Sequence, residues 1–148
     1  MVEILIALTV VTGAIAVILG VSALVLRLST MNLKKVQAAF LAEEGIEIAR
    51  AIRDNGWDLF LQYADDTSYA IVATPAGWYL SSTTTEDVLG GGSREIFFSP
   101  VYRDVNDQIA DVGYLDEGTR YVEARISVPQ ASTSSIHIIG GYLSNIHE

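Results

Sequence analysis

Apolar positions crowd the start of the chain. From Ile4 to Leu26, 23 residues carry no charge, and only Glu3 precedes them as an ionisable side chain. At about 1.5 Å per residue a helix of that length reaches roughly 35 Å, enough to cross a hydrocarbon core of about 30 Å. No small-residue cleavage pattern follows, so the segment is expected to remain in the mature protein. Beyond Leu26 the pattern becomes periodic and stays helical, because LRLSTMNLKKVQAAFLAEEGIEIARAIRD contains no proline and spaces its apolar residues by three and four. Leu33, Val36, Phe40, Leu41, Gly45, Ile48 and Ile52 mark one stripe, with Lys34, Lys35, Glu43, Glu47, Arg50 and Asp54 opposite. Glu47 and Arg50, and Arg50 and Asp54, stand at pairing distances. A single helix about 75 Å long is predicted over Ile4 to Arg53, stopped by Asp54, Asn55 and Gly56.

After Gly56 the period becomes alternating, and glycine, serine and threonine clusters separate short β-prone runs. Tyr69 to Ala73 and Gly77 to Leu80 are expected as two early strands. Arg94 to Arg103 is a third, with Pro100 forcing it to a sheet edge or a bend. In the fourth, Arg120 to Val128, the positions Val122, Ala124, Ile126 and Val128 alternate with polar neighbours, the mark of a half-buried antiparallel strand. Ile136 to Leu143 closes the set after a polar loop from Gln130 to Ser135. The expected fold class is α+β: a long N-terminal α-helix whose apolar half protrudes, with a small antiparallel sheet of four or five strands packed on its C-terminal half. Three regions follow: an apolar membrane or core helix at 1–26, its amphipathic continuation at 27–55, and a β-rich head at 56–148. The sheet is expected on Leu33, Val36, Phe40, Leu41, Ile48 and Ile52, with another face of this stretch against adjacent heads, so Phe40→Asp and Ile48→Asp are both expected to harm folding and assembly.

Charge sharpens the division. Residues 1–55 hold five charges of each sign, so the net charge of -9 lies in residues 56–148, where 4 basic face 13 acidic side chains. Such a head repels nucleic acid and anionic lipid, and no direct nucleic-acid binding is expected of it. With no cysteine, disulfides and thiolate metal sites are excluded. Arg27, Lys34 and Lys35 follow the apolar run, which by the positive-inside rule alone would leave the larger part of the chain in the cytoplasm; a basic leader removed from ahead of Met1 would resolve the conflict.

Candidate chemistry is sparse, and no cofactor is expected. Asp104, Asn106, Asp107 and Asp111 offer the oxygen ligands calcium prefers, but lack the glycine and terminal glutamate of the helix-loop-helix pattern, so a hairpin turn is the better reading. Gly90 to Gly92 with Ser93 has no following Lys-Ser or Lys-Thr and is expected as a flexible loop. His137, between two isoleucines, is expected to face outward from its strand. No G-x-S-x-G or H-E-x-x-H occurs, so an enzyme is not expected. Trp57, Trp78, Tyr79, Phe97, Phe98 and Tyr102 are assigned mostly to the core or a sheet face. Ser81 to Thr85 and Ser132 to Ser135 are expected as solvated loops, with O-linked sugar as the lesser alternative.

The opening VEILIAL, running into one long helix and then a small β-rich head, resembles a type IV pilin or a related pseudopilin in its processed form. EEGIEIARAIRDNGW, SPVYRD and YLSN resemble a bacterial pilin-like subgroup. The resemblance implies a structural subunit that polymerises with copies of itself into an extracellular filament for adhesion, motility or DNA uptake. It implies as partners the inner-membrane pilus assembly machinery, a prepilin peptidase, and the cytoplasmic membrane before assembly. The family's acid near the processed end matches Glu3, which by resemblance would meet the amino terminus of a neighbouring subunit. Glu3 stands two residues after Met1 rather than four, and Gly20 stands where many members have proline. Gly13 and Gly20 are therefore expected to lie in a helix distortion between Gly13 and Ser22 on assembly. Two alternatives share the pattern: a pseudopilin of a type II secretion-like system, and a single-pass anchored binding domain that never polymerises.

Overall fold

The computed structural model describes residues 1–75, 77–129 and 134–146. The chain divides into two units, residues 1–35 and 36–148. The fold class is α+β, one long N-terminal helix and antiparallel strands packed against its C-terminal part.

The helix, α1, spans Val2–Asp54 without a break. In its apolar part the hydroxyls of Thr9, Thr12 and Ser22 turn back onto carbonyls of Ile6, Leu8 and Ile18 at 2.8 Å. No side-chain polar group there is left for hydrocarbon to face bare. Helical geometry continues through Gly13 and Gly20, so the single chain carries no distortion between Gly13 and Ser22. At the other end Gly56 takes φ 152°, open to glycine but not to side chains, and turns the chain into the one-turn helix α2, Trp57–Phe60.

Among the described residues seven strands follow: β1 Ala70–Thr74, β2 Gly77–Ser81, β3 Asp87–Val88, β4 Gly92–Arg103, β5 Ile109–Ala110, β6 Tyr114–Pro129 and β7 Ser134–Ser144. β1 and β2 form a two-stranded sheet; the main sheet runs β3-β4-β6-β7, with β5 beside the far end of β4, and every pairing is antiparallel. Gly90 and Gly91, with Leu89, adopt positive φ in a tight turn joining β3 to β4, so the stretch expected as a loop is a hairpin turn whose Gly92 and Ser93 already belong to β4. Pro100 lies inside the sheet, opposite Arg120; the lost ladder donor is absorbed by a register shift between Pro100 and Tyr102.

The core lies between one face of this sheet and the C-terminal part of α1. Val122, Ala124 and Ile126 of β6 and Ile96 and Phe98 of β4 are fully buried. From the helix come Ala38, Ala42, Gly45, Ile46, Ile48, Ala49 and Ile52. Small residues dominate this row because the sheet comes very close. A Cβ added at Gly45 would stand 2.8 Å from Ile96 Cδ1 and 3.2 Å from Ala124 Cβ. Leu33, Val36 and Phe40 do not pack here and are 59%, 52% and 67% exposed. At 100° per residue they lie roughly half a turn away from Ala38, Ala42, Gly45 and Ala49, on the opposite side of the helix. Leu41 sits at the core's margin, half-buried.

A second core layer is aromatic. Phe60 of α2, Phe98, Tyr63 and Tyr69 meet at centroid separations of 5.2 to 5.8 Å, mostly edge to face. Trp57 joins them, whereas Trp78 and Tyr79 are exposed on β2.

Candidate functional site

Two buried arginines pin the sheet to what surrounds it. Arg94 is only 3% exposed, because β4 turns it toward the helix, opposite inward-facing Ile126. Its guanidinium donates to Glu86 through two nitrogens at 2.6 and 2.9 Å, to Glu44 at 2.6 Å and to the Leu41 carbonyl at 3.2 Å. Burial disfavours its charge, but its bonds to the Glu86 and Glu44 carboxylates outweigh that and hold its pKa above the ordinary arginine value. Arg120 donates to the Phe60 carbonyl, pairs with Asp65 and lies 4.8 Å from the centroid of the Phe98 ring. Every guanidinium nitrogen of Arg94 is engaged in this way. An open cleft of about 470 Å³ beside Arg120, lined by Leu61, Asp65, Leu115, Asp116 and Glu117, presents Arg120, Asp65 and Asp116 already paired within the fold and Glu117 unpaired among the described residues.

The loop over residues 104–108 shows the same economy. Asp104 Oδ1 accepts the backbone N–H groups of Asn106 and Gln108 at 2.8 and 2.9 Å, and Asp107 takes φ 63°. These two N–H bonds hold the Asp104 carboxyl below the usual range. The loop is thus the β4–β5 turn, with Asp104 as its internal tie. Asp107 leans on Arg103 at 3.6 Å, and Asp111 lies beyond β5. Among the described residues no three histidine, aspartate or glutamate side chains gather as a metal site requires.

His137 faces the helix side of the sheet. It pairs in register with inward-facing Ile126, while Ile136 and Ile138 point outward and are exposed. The outward orientation expected for it is thus reversed, because the register with β6, and not the isoleucine neighbours, sets the face. Its Nε2 is buried and without a hydrogen-bond partner among the described residues. His147, Ser132 and Thr133 lie outside the described residues.

What remains open is surface. Residues 2–26 form a helix apolar and long enough to cross a membrane, with mean hydropathy 2.7 over its most apolar window and none of that window buried. Such a helix suggests membrane association. Glu3 occupies its first turn, where a carboxylate faces the positive end of the helix dipole, and it makes no ion pair or side-chain hydrogen bond among the described residues. Gly13 and Gly20 have nothing within 4 Å of where a Cβ would stand, so both present bare backbone to a neighbour. Sequence reasoning placed Leu33, Val36 and Phe40 against the sheet; they instead extend the exposed apolar surface past the charged turn at Lys34 and Lys35. It missed Arg94 and Arg120, whose signal was an arginine on the apolar phase of an alternating strand. Compared with known proteins, the chain matches no family model, no curated protein and no solved structure.

Proposed function

We propose that the chain is a structural subunit of a type IV pilus-like filament, polymerising through its N-terminal helix and exposing its acidic head at the cell surface. The observation that carries this reading is the length over which one apolar face of the helix stays uncovered. From Ile4 to Phe40 it would extend about 55 Å, whereas a bilayer core covers about 30 Å. Leu33, Val36 and Phe40 therefore stand outside hydrocarbon, and their own sheet leaves them exposed. Copies of the same helix supply apolar cover along the whole length; a single-pass anchor leaves the last part wet. Hydrophobicity gives little drive between helices while they lie in lipid, so close packing at Gly13 and Gly20 and a charge contact at Glu3 supply the specificity. The subunit waits in the cytoplasmic membrane for the peptidase and assembly machinery, then leaves it for the extracellular filament.

Glu3→Ala tests this directly. We expect the variant to reach the membrane fraction at the parent's level and to yield no sheared surface filaments. Normal filaments from Glu3→Ala would remove the assigned role of Glu3, and the absence of any polymer from the parent chain would favour an anchored domain. Short periplasmic assemblies in place of long surface filaments would identify a pseudopilin.

A further inference from the structure

At the far end of β4 the chain exposes apolar side chains that nothing in the fold covers. Val105 is 84%, Val112 85% and Tyr114 71% exposed. They belong to one corner. Tyr114 pairs in register with Arg103, and Gly113 lies so close that a Cβ there would fall 2.0 Å from the Arg103 carbonyl oxygen, which draws the 111–113 segment around the end of β4. Val105, Tyr114 and Leu115 share one open cleft with Arg103, Asp104, Asp107, Asp116 and Glu117. Exposed apolar groups with a polar rim mark an interaction site, and the one cation of this rim, Arg103, is already paired with Asp116 and Asp107. Residues 104–117 contain five acids and no base. Asp104 and Asp116 are engaged within the corner, but the carboxylates of Asp111 and Glu117 have no ion-pair partner among the described residues.

An acidic, apolar corner needs a basic, apolar partner, and cation accounting within the chain leaves one place. Of the 9 cations, Arg50, Arg53, Arg94, Arg103, Arg120 and Arg125 are each paired with an acid of the same chain. Lys34 is also engaged, whereas Arg27 and Lys35 are exposed with no acidic partner among the described residues. Helical spacing puts Arg27, Met31, Lys34 and Lys35 on the row that continues Ala38, Ala42 and Gly45 toward the N-terminus. Leu28, half exposed, and Met31 add apolar surface to that turn. The segment from Arg27 to Ala42 contains no acid.

We propose that the Val105–Val112–Tyr114 corner of one copy docks on the Arg27–Lys35 turn of the helix of a second copy, with Asp111 and Glu117 set against Arg27 and Lys35. The contact is heterologous, since the two surfaces differ, and such contacts propagate into open helical polymers when they do not close into a ring. The proposal rests on the filament reading for its setting, and the experiment separates the two.

Because the chain has no cysteine, single cysteines report contacts cleanly. Full-length chains carrying Met31→Cys and Val112→Cys are co-expressed, oxidised in membranes and in the sheared fraction, and scored for the mixed disulfide. The expected result is a mixed dimer exceeding, by about tenfold, that from Val36→Cys with Val112→Cys, whose helix position faces the other way. Arg27→Glu with Lys35→Glu in the Met31→Cys chain should reduce the mixed dimer by about tenfold, and Asp111→Lys with Glu117→Lys in its partner should restore it. All four sites are exposed, so an unchanged melting temperature of the head shows that folding is not at issue. Filaments without the mixed disulfide overturn the docking and leave the filament reading in place; the mixed disulfide without filaments does the reverse. A cross-link indifferent to charge reversal also overturns the docking. If charge reversal instead changes only the partition between anionic and neutral vesicles, the basic turn serves lipid headgroups and the docking is overturned.

Discussion

At the scale of single residues, this head binds each of its four arginines to its own carboxylates or to those of the helix. Asp116 illustrates the consequence for pH. Burial alone would raise its pKa, but hydrogen bonds from Arg103 at 2.6 Å, Thr119 and the Gly118 N–H outweigh that and lower it. A carboxyl with a depressed folded pKa stabilises the head fully above its unfolded value, about 3.9, and loses that contribution as pH falls toward the folded value. Asp104 adds to the effect with the same sign. Tyr121 acts at the other extreme: burial, Glu123 and Tyr142 raise its pKa, so its contribution holds below about 10 and fades as pH rises through the raised value. The head should therefore lose near-ultraviolet dichroism progressively below pH 4, and Asp116→Asn should flatten that acid limb while lowering stability at neutral pH. An acid limb identical in Asp116→Asn and the parent would show that Asp116 does not carry it. None of this was legible in the sequence, where Asp116 is one of 13 acids in the head and its partner Arg103 lies across a hairpin.

Elements were easier to foresee than the faces they present. The β6 pattern reads true, since Val122, Ala124, Ile126 and Val128 are all inward and buried. One polar face beside one apolar face leaves no ambiguity of phase. β7 has apolar residues on both faces, so its phase is set by pairing with β6, and His137 faces inward for that reason. α1 raises the same difficulty in helical form: it carries a small-residue row, Ala38, Ala42, Gly45 and Ala49, and a large-residue row, Leu33, Val36 and Phe40, on opposite sides. Sequence reasoning merged the two into one stripe and favoured the larger side chains, although the near approach of Ile96 and Ala124 admits only the smaller ones. Two substitutions measure how tight that seam is. Gly45→Val should destabilise the head by about 2 to 3 kcal/mol, because the added atoms meet packed side chains. Ile48→Asp, which puts a carboxylate into the core, should cost more than about 4 kcal/mol and leave little folded head. Thermal melts of the full chain in detergent decide both; a Gly45→Val variant as stable as the parent would mean the helix moves off the sheet at no cost.

For the molecule as a whole, Phe40 now stands on the opposite side of the argument from Ile48. The sequence stripe made both of them core residues, so Phe40→Asp was expected to damage folding as Ile48→Asp does. With Phe40 67% exposed on the side of α1 away from the sheet, the substitution removes no core contact. Its cost to head stability should lie within about 0.5 kcal/mol, as for other surface changes. Membrane association should also survive, because the apolar run ends at Leu26, well before Phe40. Polymerisation is where the proposed function places the cost, since a carboxylate would enter an apolar contact between helices without a partner. The expected phenotype of Phe40→Asp is thus a folded, membrane-bound subunit that yields no sheared filaments, with Leu33→Ser and Val36→Ser together giving the same result without adding charge. An anchored domain that never polymerises predicts a different outcome, in which these variants match the parent in melting temperature, membrane fraction and surface material alike. Filament yield from Phe40→Asp, measured beside the melting temperature of the same preparation, therefore distinguishes a helix face kept exposed for other copies from one merely tolerated in water.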